Sequence, residues 1–170
     1  NQTSMTLPVR RQEQLLIDGL PELPAGRLLT NTAGRAQFAA AFARANAQAT
    51  ATCWFLDLYQ HEQTKAVCVC PPNLHLLCAA DPPAEPFEVV AWCFSRQGDG
   101  ELVREMLQIG HERLSPDGQL IVTIDYPRDQ WLSELLERLF AKITRRQHET
   151  GVAYWASGAR SLRKLKNYAA

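Results

Sequence analysis

Apolar residues along this chain fall into short runs of two periodicities. Leu15-Leu16-Ile17 is a small first cluster, followed by Pro21 and Pro24. Residues 1–26 therefore read as an N-terminal arm or short helix leading into the domain. Arg27-Leu28-Leu29-Thr30 is a strand-like run that ends in a polar turn, Asn31-Thr32-Ala33-Gly34. The Ala-rich stretch from Arg35 to Arg44 predicts a helix, because alanine has the most favourable helix propensity. Phe38 and Phe42 lie four apart and share one face of it. Three β-type runs follow: Thr52 to Leu56, ending at Asp57; Leu74 to Cys78, ending near Asp81-Pro82-Pro83; and Phe87 to Trp92.

From Gly100 to Arg113 the pattern is helical, carried by Leu102, Val103, Met106, Leu107 and Ile109, with Asp99 placed to cap it. Ser115-Pro116-Asp117-Gly118 has turn chemistry, and Gln119 to Ile124 reads as a buried strand. A second amphipathic helix follows Pro127, with Trp131, Leu132, Leu135, Leu136, Leu139 and Phe140 apolar and Asp129 a possible cap. Lys142 to Gln147 and Gly151 to Ser157 are strand-like, with three residues between them. So short a link requires an antiparallel pair, since parallel strands need a crossover of about a dozen residues. The sum is an α/β domain over residues 27–160: a mostly parallel twisted sheet with helices on both faces and a C-terminal antiparallel hairpin. Residues 161–170 form a basic tail or linker.

Composition narrows the class. The chain has 170 residues, 46% hydrophobic and 21% charged, with Lys plus Arg equal to Asp plus Glu. Zero net charge argues against a dedicated nucleic-acid module but leaves local basic patches. Arg145, Arg146, Arg160, Arg163, Lys164 and Lys166 are the candidates for phosphate contact. Five cysteines with no secretory leader predict reduced thiols in a cytoplasmic protein, most of them small core residues. Cys68-Val69-Cys70 has part of a metal-site spacing but no matching Cys/His pair, and His75 between leucines reads as a strand histidine. No metal is expected. No apolar run approaches the ~20 residues of a membrane span. Neither Ser95 nor Ser157 sits in a Gly-x-Ser-x-Gly elbow.

The β-α alternation closed by an antiparallel hairpin resembles the Rossmann-like class I S-adenosylmethionine-dependent methyltransferases. In doubly wound sheets the ligand sits at the carboxyl ends of the strands, near the switch in strand order. A cofactor loop there needs glycines for close backbone approach and an acid for the positive end of the cofactor. Thr30-Asn31-Thr32-Ala33-Gly34-Arg35 offers one glycine and no acid. Asn31 and Gly34 in that turn, and Asp57 at the end of the next strand, where a carboxylate can bond ribose hydroxyls, are the remaining cofactor-binding candidates. After the Phe87–Trp92 strand, an amino-nitrogen methyltransferase would carry an Asn/Asp-Pro-Pro-aromatic tetrad. Here the residues are Cys93-Phe94-Ser95-Arg96, so no residue is a catalytic candidate.

The altered loop from Arg27 to Ala36, Leu114-Ser115-Pro116-Asp117-Gly118-Gln119-Leu120, and Leu162-Arg163-Lys164-Leu165-Lys166-Asn167-Tyr168 resemble, in that order, the N-terminal half of the two-domain ribosomal RNA guanine-N2 methyltransferases. The resemblance covers about residues 25–167. It implies a degenerate methyltransferase-like domain that binds no cofactor itself, supports a C-terminal catalytic half that uses S-adenosylmethionine, and helps engage ribosomal RNA. The alternatives are a stand-alone methyltransferase with an atypical loop, or a non-enzymatic interaction domain on the same plan.

Overall fold

In the computed structural model, which describes residues 7–160, the stretch expected as an arm carries helix α1 (Arg11–Asp18) and a short 3-10 turn (Leu20–Glu22). There follow β1 (Arg27–Thr30), α2 (Gln37–Ala45), β2 (Thr50–Phe55), α3 (Leu58–Val67), β3 (Leu74–Cys78) and β4 (Phe87–Phe94). The described chain ends with α4 (Gly100–Arg113), β5 (Leu114–Ile124), α5 (Trp131–Leu139), β6 (Phe140–Gln147) and β7 (Val152–Ala159). One seven-stranded sheet runs β3-β2-β1-β4-β5-β7-β6. The first five in that order pair in parallel, and β7 is antiparallel to both β5 and β6. This is the α/β class, with the mostly parallel sheet and closing hairpin, that the pattern predicted.

The two faces of the sheet bury different sets. Leu16 of α1 packs with Phe38, Ala39, Phe42 and Ala43 of α2 against Leu28, Ala51, Cys53, Val89 and Ala91. On the other face, Met106 and Leu107 of α4 and Leu132, Leu135 and Leu136 of α5 cover Leu29, Val90, Trp92, Leu120, Val122 and Tyr154. Strands buried on both faces read as continuous apolar runs rather than alternating ones, which is why β4 and β5 were visible in the sequence. Helix α4 lies close on β4: the Trp92 indole N–H donates to the Met106 carbonyl at 2.8 Å. A methyl group added at Gly110 would stand 2.8 Å from that indole nitrogen.

Four features depart from the pattern. Helix α3 carried no apolar signature because only Thr64 of it is buried. No helix crosses between β3 and β4, where Pro82, Pro83 and Pro86 stand, and proline disfavours helix. The turn at Ser115–Gly118 falls within the span of β5. Pairing with β4 shifts register there, from Phe87↔Leu114 to Val89↔Gln119. The fourth is a correction. Cys53 and Cys93 are buried free thiols and Cys78 is free and half-buried, but Cys68 and Cys70 are bridged to each other. Their Cα atoms lie 5.2 Å apart as the chain turns out of α3, within the range a disulfide spans. So local a pairing needs no framework of further cystines. No helix among the described residues is long and apolar enough to cross a membrane.

Candidate functional site

Strand order reverses between β1 and β4, so the ligand crevice of this topology should open above their carboxyl ends. Asn31 spans that gap. Its side-chain Nδ2 donates to the Cys93 carbonyl at 3.0 Å, and its Oδ1 accepts the Cys93 amide at 2.7 Å. The side-chain amide thus adds one more rung to the β1–β4 ladder beyond the Thr30↔Ala91 pair.

The loop from Asn31 to Ala36 is saturated from within. Thr32 Oγ1 accepts the amides of Gly34 and Ala36, both at 2.9 Å, and donates to Glu13 Oε1 at 2.7 Å. Glu13 Oε1 also accepts the Ala33 amide at 3.3 Å, and Oε2 accepts Phe38 N at 3.0 Å. The Arg35 amide goes to Gln37 Oε1 at 2.8 Å. Every amide from residue 33 to 36, and that of Phe38, therefore has a partner inside the protein. Backbone amides at a helix N-terminus make a natural anion site; here a carboxylate from α1 fills it. Burial pushes the Glu13 carboxyl up from its ordinary value, partly offset by the bonds from Phe38, Thr32 and Ala33.

The backbone of this loop is also unusual. Ala36, not Gly34, takes the left-handed conformation, at φ 63°, which favours glycine. Gly34 is hemmed in: a methyl there would lie 3.2 Å from Gln37 Oε1 and 3.4 Å from Arg10 Cγ.

Glu13 was not a candidate from sequence. The available signal was two polar residues, Gln12 and Glu13, on the face of α1 that also carries Leu15 and Leu16; all four are buried. Gln12 serves the neighbouring strands. Its Nε2 donates to the Phe94 carbonyl at 3.0 Å, and its carbonyl accepts Thr123 Oγ1 at 2.9 Å.

Asp57 stands where the sequence placed it, beyond the end of β2. It is exposed, and its carboxylate accepts the Tyr59 amide at 2.9 Å as the N-cap of α3. Cys93 and Phe94 end β4. The Arg96 amide after them donates to Asp125 Oδ1 at 2.7 Å. The Arg96 guanidinium lies 4.2 Å over the Tyr126 ring. Burial raises the Cys53 and Cys93 thiols well above the ordinary range, which disfavours their thiolates. His75 lies on β3 and is exposed. Among the described residues, no group of three potential metal ligands converges.

No protein-family model matches the sequence, and no curated protein matches it at significance. Solved structures do match in shape. The T. thermophilus 16S rRNA N2 G1207 methyltransferase, solved with AdoMet and guanosine, superposes with a TM-score of 0.73 at 16% identity. The match covers 91% of this chain and 44% of that one, so this chain spans less than half of its length. A ribosomal protein L11 methylase from Lactobacillus delbrueckii subsp. bulgaricus gives 0.71 at 14% identity, over 92% of this chain and 83% of that. A protein of Pseudomonas syringae assigned as a methyltransferase gives 0.68 at 20%, over 87% and 97%.

The fold is that of the S-adenosylmethionine-dependent methyltransferases.

In this methyltransferase fold the basic candidates among the described residues bond other parts of the chain. Arg145 reaches the Pro127 and Asp129 carbonyls, both at 2.9 Å, and the Tyr154 hydroxyl at 3.3 Å. Arg146 makes two 2.9 Å bonds to Glu22 and stacks 4.4 Å over Trp155. Arg160 Nε donates to the Glu137 carbonyl at 3.1 Å. Arg163, Lys164 and Lys166 lie outside the described residues.

Proposed function

We propose that this chain is a degenerate methyltransferase-like domain of an S-adenosylmethionine-dependent rRNA (guanine-N2) methyltransferase, supporting a C-terminal catalytic half and engaging the RNA. One observation carries the reading: the Glu13 carboxylate and the Thr32 hydroxyl hold the loop amides that would face a ligand. S-adenosylmethionine does not fit such a loop. Its amino-acid end is a zwitterion next to a sulfonium, and it would meet the amides of residues 33–36 already partnered, no acid in the turn, and a buried carboxylate already in place. Asn31 and Gly34 are vestigial on this reading, and Asp57 serves as a helix cap. The shape of the T. thermophilus enzyme, more than twice as long as the match, supports a half-enzyme role.

RNA engagement falls to Arg160, Arg163, Lys164 and Lys166, because Arg145 and Arg146 are each held by two or more bonds within the fold, whereas the described contact of the Arg160 side chain is one bond to the Glu137 carbonyl. Neutralising these four should flatten the salt dependence of rRNA binding, the log–log slope falling by nearly one for each phosphate no longer paired. Calorimetry on the full chain with S-adenosylmethionine tests the central claim: no binding heat is expected up to millimolar ligand. Micromolar affinity would sink it. If turnover with total rRNA were found, and were abolished in Asp57→Ala, the stand-alone enzyme reading would take its place.

A further inference from the structure

A groove of about 610 Å³ runs between the segment before α1, the outer face of α2 and the end of α3. It lies on the α2–α3 side of the sheet and takes in Arg35 and Ala36 from the end of the loop after β1. Buried Ala36 and Ala40 and exposed Ala66 line it. Leu7, Val67 and Val69 on its rim are exposed at 41%, 50% and 82%. Two guanidiniums, Arg35 and Arg44, line it, and neither has a carboxylate partner among the described residues. Each is steadied by a carbonyl instead: Arg35 by Gly34 at 3.1 Å and Arg44 by Val69 at 2.9 Å. Cys68, bridged to Cys70, lines the same groove, and Cys70 beside it is exposed.

We propose that Cys68–Cys70 is a thiol–disulfide exchange site for a small anionic thiol, which the Arg35–Arg44 groove draws in and presents to Cys68. Three points combine. The bridge is reachable, whereas Cys53 and Cys93 are sealed in the core. Arg44 is fixed on the backbone of Val69, between the two cysteines, and a cation beside a thiol favours its thiolate. Lys65, in the last turn of α3 that Cys68 caps, is paired with Glu62 at 3.9 Å, so the positive charge at the groove comes from the two arginines. The groove's charge is complementary to a carboxylate-bearing thiol and indifferent to a neutral one.

The exchange balances with the thiol itself as reductant. A thiolate in the groove attacks Cys68 Sγ; the Cys68–Cys70 bond breaks and Cys70 leaves as thiolate and takes a proton. A second thiolate attacks the outer sulfur of the mixed disulfide, releasing the small disulfide and the Cys68 thiolate, which is protonated in turn. Two thiols are oxidised to one disulfide, and the protein gains two electrons and two protons. The reverse sequence reoxidises the pair.

The experiment uses the full chain purified without reductant, denatured in iodoacetamide and weighed. Alkylation at Cys53, Cys78 and Cys93 alone is expected, and at all five cysteines after treatment with glutathione. Alkylation of all five before any reductant would overturn the proposal. Cys70→Ser treated with oxidised glutathione should trap one glutathione on Cys68; capture on Cys78 instead would overturn the site assignment. Arg35→Gln/Arg44→Gln, with its circular dichroism unchanged, should slow reduction by glutathione on the order of tenfold and leave reduction by 2-mercaptoethanol unaltered. Equal slowing of both thiols, or of neither, would overturn the anionic specificity of the groove.

Discussion

Glu13 shows how one residue can decide what a site is able to do. A carboxylate buried on an apolar helix face is costly unless hydrogen bonds compensate it, and this one accepts from Thr32, Ala33 and Phe38. Truncating it leaves two buried donors and one half-buried donor without that acceptor. At about 1–3 kcal/mol for each such group, with partial relaxation, Glu13→Ala should cost about 3 kcal/mol in urea unfolding. The pH dependence follows from the raised carboxyl. The folded protein holds this proton more tightly than the unfolded chain does. Glu13 therefore favours folding fully below the ordinary carboxylate value of 4.5, and that contribution is lost as pH rises through its higher folded value. In Glu13→Ala this part of the pH profile should vanish; an unchanged profile would show that the carboxyl is not responsible.

Among the elements, α4 packs closely on β4, and β7 is tied to the turn before α5. Gly110 allows α4 to approach Trp92, so Gly110→Ala should cost about 1–3 kcal/mol, the usual penalty of overpacking. A weaker near-ultraviolet signal from Trp92 would accompany it. A stability unchanged from the parent would mean that the helix can step back freely. The hydroxyl of Tyr154 ties β7 to the turn before α5, bonding Asp129 O at 2.9 Å and Oδ2 at 2.8 Å. Asp129 also accepts the Leu132 amide at 3.2 Å, the cap expected from the sequence, though Gln130 stands between it and the helix. Burial first, and Asp129 beside it, push the Tyr154 phenol up to about 12. Its contribution to folding is full below pH 10 and is lost as pH rises from there through about 12. Tyr154→Phe should be less stable at neutral pH and should lack this alkaline loss, which a thermal melt series from pH 8 to 12 would read.

For the whole molecule, the sheet order places the crevice, and two local arrangements meet there: Asn31 bridges β1 and β4, and Glu13 bonds the loop after β1. The calorimetric test with S-adenosylmethionine belongs at this scale, because the proposed lack of binding rests on these arrangements together. Glu13→Ala on its own should therefore not restore cofactor affinity, since Asn31 would still bridge the strands and the turn would still lack an acid. Recovery of micromolar binding in that variant would show that the carboxylate alone shuts the site.

Much of this architecture could be read along the chain because its determinants are local. Periodicity marked α2, α4 and α5, whose apolar faces sit on the sheet. Continuous apolar runs marked β4 and β5, and a three-residue link forced β6 and β7 to be antiparallel. The single glycine and missing acid of the loop after β1 were legible too, since glycine count and side-chain charge are properties of the sequence. Helix α3 was not, because it buries almost nothing and so has no apolar stripe. What fills the loop was also hidden. Glu13 reaches Thr32 and Phe38 across 19 and 25 residues, Asn31 reaches Cys93 across 62, and Arg146 reaches Glu22 across 124. Pattern along a chain determines which faces are buried; only the folded sheet decides which distant polar group arrives at each unsatisfied amide.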